Sequence, residues 1–286
     1  PISFPCSAMP VLLAGAASGP PAAWRLDILA ACLIGVVSLH AAGNLLNDYF
    51  DVLSGVDSLA DDDPARPGRL MLRGELTPRN YRNEAVFFLG LAAPMALYVV
   101  LEASPAVLAF AAVGLFALYA YTGPPFRLKT RALGELVMFV VFGPAIVLGV
   151  GYAMTGTLRP ILWLVSVPPG LLTSAVLVSN NIRDAAEDRD AGIRTIAQTA
   201  GVPFARWLYT TLVIVSAVWP TALAVVGVGP PGFLLTPAAL IVAAGPLRAI
   251  HTGRRLPNID ARTAAYLFAV QAVMVVALLA STINDQ

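Results

Sequence analysis

Charge is scarce in this chain: 12% of its 286 residues are Asp, Glu, Lys or Arg, about half the share of an average soluble domain. Cysteine and histidine are scarcer, at two each. Cys6 and Cys32 both sit in apolar surroundings, where a thiol behaves as a small hydrophobe, so neither a disulfide framework nor a cysteine metal site is expected. His40 and His251 show no HExxH or HxH spacing, which excludes zinc chemistry and intramembrane metalloproteolysis. Lysine is nearly absent, Lys129 being the only one. The opening apolar run has no basic residue before it; the first is Arg25, so it does not read as a signal peptide. No nucleic-acid partner is expected.

What is present is hydrophobic: 58% of residues, arranged in apolar runs long enough for a bilayer. The 23 prolines and 23 glycines do not oppose this, since transmembrane helices tolerate both. Nine apolar segments lie near 3–18, 27–46, 83–101, 104–121, 135–153, 160–179, 205–228, 234–249 and 264–282, several near the lower length limit for spanning. The connections after the second, fourth, sixth and eighth segments hold 16 of the 18 Lys and Arg, with Arg25 and Arg159 on the other side. This is the positive-inside bias, and it puts those connections in the cytoplasm. Of the 17 acids, only Asp27, Glu102 and Asp285 fall outside that face. The expectation is an all-α, multi-pass integral membrane protein, a single domain over 1–286 with a polar cytoplasmic cap.

Two acidic clusters stand on that face. Asn44, Asp48 and Asp51 are spaced i, i+4, i+7, and Asn47 with Asp51 makes a second i, i+4 pair; on a continuing helix these stack on one side. Asn180, Asp184 and Asp188, at i, i+4, i+8, repeat the arrangement, with Asn181 and Arg183 alongside. Both contain N-x-x-x-D and both end an apolar segment, the second and the sixth. This suggests an internal repeat: helices 1–4 over about 1–121, helices 5–8 over about 135–249, and a ninth over about 264–282. A single cluster would read as a capped helix end; two matched ones read as halves of a site. Carboxylates with amide oxygens make a hard, oxygen-only cage of the kind Mg2+ favours, with few protein ligands plus substrate phosphates. The neighbouring arginines suit phosphate oxygens. With no nucleophile or histidine base in evidence, the chemistry indicated is a Mg–diphosphate held for ionisation.

Several residues have plainer readings. Asp61, Asp62 and Asp63 read as a solvated run. Arg248, Arg254, Arg255 and Arg262 suit topology and anionic headgroups. Glu135 suits the dipole at a helix start, and His40, one turn before Asn44, reads more readily as hydrogen-bonded helix packing than as a cavity group.

These residues resemble the UbiA superfamily of intramembrane prenyltransferases over nearly the whole chain. Within it, "NDYFDVLSGVD", "YTGPPFRLKTRALGELVMFVVFGPAIVLG" and "NNIRDAAEDRDAGIRT" are most similar to the 1,4-dihydroxy-2-naphthoate polyprenyltransferase branch of menaquinone synthesis. The 4-hydroxybenzoate branch reads NDxxDxxxD, whose last position is here Gly55, with Asp57 two residues on. The resemblance implies transfer of a prenyl group from a polyprenyl diphosphate to an aromatic acceptor, with Mg2+ as cofactor, in a bilayer such as a bacterial inner membrane. It implies that Asn44, Asp48, Asp51, Asn180, Asp184 and Asp188 serve the metal. Arg66, Arg69, Lys129, Arg183 and Arg127 would contact diphosphate oxygens. Asp48, Asp184 and Tyr121 would be catalytic, Tyr121 facing the reacting carbon, where an interfacial aromatic is the plain alternative. Other reactions of the same scaffold stay open: prenylation of 4-hydroxybenzoate, a tetrapyrrole or a glycerol lipid, or cyclisation. Outside the class stands an ion-coupled transporter, though transporter sites tend toward the bilayer midplane.

Overall fold

A computed structural model describes residues 4–21, 24–53, 69–190, 192–252 and 258–284, without the side chains of Arg69, Glu187, Ile283 and Asn284. The described residues are helical and form no strand, as lipid demands of a chain whose backbone groups must be satisfied internally. The main helices are α1 (Pro5–Ala17), α2 (Leu26–Leu53), α3 (Pro78–Glu102), α4 (Val107–Ala120), α5 (Gly134–Thr155), α6 (Pro160–Arg183), α7 (Val202–Val225), α8 (Pro231–Thr252) and α9 (Ile259–Asn284). Among the described residues, seven of these are long and apolar enough to cross a membrane; the chain is an integral, multi-pass membrane protein. α1 and α4, of 13 and 14 residues, are shorter apolar helices. At 1.5 Å per residue each covers roughly 20 Å, less than a 30 Å hydrocarbon core. Length and composition therefore carry seven spans where nine were expected.

Local chemistry sets the ends. α3 begins at Thr77, whose hydroxyl accepts the Asn80 N–H while the Asn80 side chain takes the Thr77 N–H, with Pro78 in the first turn. This reciprocal cap satisfies donors that the helix start leaves open. α5 stops at Gly156, whose φ of +69 suits glycine. Inside α5 the turn Val141–Ala145 widens to a π-helix around Pro144, which has no N–H to donate. Gly143 on this turn lies so near α6 that a Cβ would stand 2.6 Å from the Ser166 carbonyl oxygen.

Packing follows chain order around a circuit. α2 lies on α3, α5 on α6, α6 on α7, and α8 on α9, while α1 closes the circuit against both α9 and α2. α6 is central, with 61% of its most apolar stretch buried, and α3 peripheral, with 17%. The outer apolar side chains of α3 and α4, such as Phe87, Leu97, Leu101 and Phe116, are exposed and suit a lipid environment.

Candidate functional site

α2 stays helical to Leu53 and so carries the first cluster through as one face. Asn44 is exposed, Asp48 half-buried and Asp51 buried. Asp51 Oδ2 accepts from Lys129 Nζ at 2.5 Å and from Asn47 Nδ2 at 3.0 Å, and Lys129 Nζ also donates to Asn47 Oδ1 at 3.4 Å. A carboxylate buried in this way needs its partners, since desolvation otherwise penalises the charge.

The second cluster departs from the expected single helical face. α6 ends at Arg183, Asp184 caps it with ψ near 9°, and Asp188 stands on a separate short helix, Ala185–Asp190. The i−4 backbone bonds nonetheless run through the joint, Asp184 N–H to Asn180 O and Asp188 N–H to Asp184 O, both 2.9 Å. The three side chains thus follow one another around a loosened helical turn. Asp184 takes a bidentate pair from Arg183, at 2.7 and 2.9 Å, and Arg183 reaches on to Asp260, in the first turn of α9, at 3.3 Å. Asp188 accepts from Thr195 Oγ1 at 3.3 Å.

The segment between α4 and α5 ties the clusters together. Tyr121 closes α4, and its carbonyl accepts the Lys129 N–H at 2.8 Å, which turns the lysine toward Asp51. Two residues on, Arg131 pairs backbone to backbone with Arg194, beyond the second cluster. Glu135 then accepts from Asn181 Nδ2 at 2.7 Å, while its carbonyl accepts from Ser174 Oγ at 2.8 Å. The Tyr121 ring stands against Gly134 at the start of α5, between these attachments. One strap therefore touches the end of α2 and the end of α6.

Other candidates are distributed differently. Arg127 pairs with no acid among the described residues: it is exposed and lines a groove with Phe50, Leu53, Thr122 and Pro124. Arg66 and Asp57, with Asp61, Asp62 and Asp63, lie outside the described residues, as does the side chain of Arg69. Among the described residues, no three Asp, Glu, His or Cys side chains converge into a ready-made metal cage.

The matched sequence pattern extends well beyond these clusters, because residues 7–282 match the UbiA prenyltransferase family. The chain belongs to that family. The UbiA prenyltransferase domain-containing protein 1 of Homo sapiens is 36% identical over 220 residues, covering 74% of this chain and 62% of the relative. The chain spans about three fifths of the length of such relatives. The 1,4-dihydroxy-2-naphthoate octaprenyltransferase of Mycobacterium tuberculosis is 34% identical over 262 residues, covering 90% of this chain and 86% of that one. Among solved structures, a UbiA homolog from Archaeoglobus fulgidus bound to GPP and Mg2+ matches with a TM-score of 0.70 at 15% identity, over 98% of this chain and 97% of that one. The apo UbiA homolog from Aeropyrum pernix K1 matches at 0.71 and 18%, over 98% of each. At such identities the likeness is one of fold.

Three further side chains stand with the clusters at this end. Asn47 is the amide that donates to Asp51, as their i, i+4 spacing led one to expect. Glu135 read as a helix-start acid. Asp260 gave no signal, because only the packing of α9 brings it to Arg183.

Proposed function

We propose that the chain is a Mg2+-dependent intramembrane prenyltransferase that moves a prenyl group from a polyprenyl diphosphate to an aromatic acceptor, 1,4-dihydroxy-2-naphthoate first among candidates. The observation that carries this reading is the strap from Tyr121 to Glu135, which joins two N-x-x-x-D clusters and their cations at one end of an apolar bundle. Family membership supports it, as do the naphthoate octaprenyltransferase relative and the homologs bound to GPP or DMAPP with Mg2+. In this reading the polar end faces the cytoplasm, since it collects 16 of the 18 basic residues. The helices from α1 to α9 then make nine crossings, in two four-helix units plus one, the shorter α1 and α4 set within a locally thinned or tilted arrangement.

The donor set fits Mg2+. It offers carboxylates and amide oxygens without sulfur or imidazole, and Asn180 Oδ1 is buried with no hydrogen-bond partner among the described residues. An amide oxygen sealed from water calls for a cation or donor opposite it. Asn44, Asp48, Asp51, Asn180, Asp184 and Asp188 would hold the ion, with Asn47 beside Asp51. Bound there, Mg2+ would neutralise charge on the departing diphosphate.

The chain's own groups do the rest. Lys129 and Arg183, with Arg66 and Arg69, grip diphosphate oxygens, Arg through its planar fork and Lys as a point charge. Each must exchange a carboxylate for a phosphate to do so, because Lys129 rests on Asp51 and Arg183 on Asp184. Tyr121 faces the carbon from which the diphosphate leaves. The bundle excludes water, so the allylic cation is taken by an electron-rich ring carbon of the acceptor, with loss of the acceptor carboxylate in the naphthoate case.

The test is to give purified protein Mg2+, a labelled prenyl diphosphate and each acceptor in turn. Prenylated naphthoate made only with Mg2+ is the expected result. Product formed without any acceptor would replace transfer by cyclisation. Tight Mg2+-dependent diphosphate binding that survives Asp48→Asn with Asp184→Asn would remove the metal-site argument.

A further inference from the structure

His40 stands one turn before Asn44, on the α2 face that carries Asn44, Asn47 and Asp51, and the reaction as derived above gives it no task. The spacing sets it roughly 6 Å below Asn44 and 16 Å below Asp51 along the helix axis, toward the membrane interior. That puts it on the apolar side of the acids, the side along which a prenyl chain would run from a diphosphate held among them.

The imidazole is held by one hydrogen bond and two ring contacts. Its Nδ1 lies 2.9 Å from Ser7 Oγ of α1, and Ser7 Oγ donates its proton to the Phe4 carbonyl at 3.1 Å. With that hydroxyl proton committed, the serine oxygen accepts, so Nδ1 carries the imidazole proton and Nε2 is left as a bare acceptor. The ring meets Phe142 edge-to-face at 5.1 Å and Phe4 at 6.1 Å. Phe142 is delivered by the π turn of α5, which Gly143 presses against the Ser166 carbonyl; single π turns inside α-helices are frequent at functional sites. The imidazole thus lies between α1, α2 and α5, inside the bundle. Nε2 has no hydrogen-bond partner among the described residues. It is not one of their sealed unpartnered atoms, which are Asn180 Oδ1, Arg206 Nε and the Gln271 amide. Nε2 is therefore an unpartnered acceptor, not fully sealed, beside the Phe4 and Phe142 rings.

We propose that His40 Nε2 is an acceptor-binding group: it takes a hydrogen bond from a ring hydroxyl of the aromatic acceptor and so orients the ring beneath the diphosphate site. A flat phenolic or naphtholic ring suits the Phe4 and Phe142 edges, and its hydroxyl is the donor a bare imidazole nitrogen requires. Drawing on that hydroxyl proton also enriches the ring carbons that the allylic cation attacks. The hydroxyl addressed in a dihydroxynaphthoate is the one remote from the carboxylate, the nearer one being held by that carboxylate. The inference rests on the aromatic-acceptor reading above.

The experiment separates a binding role from helix packing. Asparagine reproduces the Nδ1 donor to Ser7 and lacks Nε2; glutamine places a polar atom near Nε2 and gives up the Ser7 contact. Equilibrium binding of 4-hydroxy-2-naphthoate and 4-methoxy-2-naphthoate would be measured by fluorescence on wild type, His40→Asn and His40→Gln. Acceptor and donor KM and the Tm would be measured alongside. The expected result is that wild type prefers the hydroxyl probe over its methyl ether by about fivefold to tenfold, the weight of one hydrogen bond. His40→Asn keeps the Tm and donor KM and loses the preference, and His40→Gln restores part of it. If His40→Asn keeps the preference, or if both variants fall in Tm while the probe ratio stays as in wild type, the inference is overturned and His40 only packs α1 on α2. A wild type that turns over prenyl diphosphate but prenylates no hydroxylated ring overturns the functional reading, and this inference with it. That outcome is distinct from a working transferase indifferent to His40.

Discussion

The two acidic clusters share a sequence pattern and differ in what surrounds it. At the end of α2, Asp51 is 5% exposed and its cation, Lys129, comes from 78 residues away, with Asn47 of the preceding turn between them. At the end of α6, the Asp184 side chain is 20% exposed and its cation is its chain neighbour, Arg183, which leans outward to Asp260. One carboxylate is specified by tertiary structure and the other by its own turn of chain. The first cluster is therefore a structural joint as well as a candidate ligand set, whereas the second can rearrange without unmaking the fold.

The sharpest way to break that contrast is Asp51→Asn. Removing one partner of a buried ion pair costs about 3–5 kcal/mol when the other is sealed in; Lys129, with 23% of its side chain exposed, brings the expectation to the lower end. A Tm drop of several degrees is expected together with loss of Mg2+-dependent prenyl diphosphate binding, read by thermal unfolding and by titration of the metal. Asp184→Asn should lose the same binding while the Tm falls less than in Asp51→Asn, because a half-exposed pair between chain neighbours contributes on the order of 1 kcal/mol. Equal Tm losses in the two variants would erase the distinction. Asn47→Ala comes next, at about 1.5 kcal/mol, the low end for a hydrogen bond to a charged group, here lost from the joint. Asn44→Ala, at an exposed position, should leave the Tm closer to wild type in the same assay.

The contrast also marks how far the sequence was readable. Apolar length and the sorting of arginines located the helices, because lipid permits few alternatives to a helix and charge asymmetry is visible in one dimension. The clusters were visible for the same reason: acids at the end of a run such as Leu26–Leu53 have few ordinary uses. What stayed hidden depends on which elements meet. Lys129 was expected at diphosphate oxygens, but its pairing with Asp51 shows only once the backbone bond to Tyr121 turns it that way. The break at Asp184 is a matter of one dihedral angle, which no glycine or proline marks in the sequence. The π turn at Pro144 matters through Phe142 and Gly143, whose partners lie on α2 and α6. At α1 and α4 apolar composition persists but the helix is short, so length and composition alone carry seven of the nine expected spans among the described residues.

The smallest expected effect tests whether the second cluster is as local as it looks. Arg183 divides its guanidinium between Asp184, at 2.7 Å, and Asp260, at 3.3 Å, with Asp260 38% exposed. Asp260 therefore draws the arginine away from the carboxylate that the metal would need. In Asp260→Asn that pull is gone, Arg183 rests on Asp184 alone among its described partners, and a divalent ion must compete harder for the same oxygens. Half-saturation by Mg2+ in prenyl diphosphate binding should rise by no more than about fivefold, the range of an exposed ion pair, and the shift should fade at high salt as screening weakens the pair. The Tm should not move. A half-saturation that falls instead would mean that Arg183, released from Asp260, turns to the diphosphate rather than to Asp184, so that the second cluster, like the first, depends on a distant helix for its geometry.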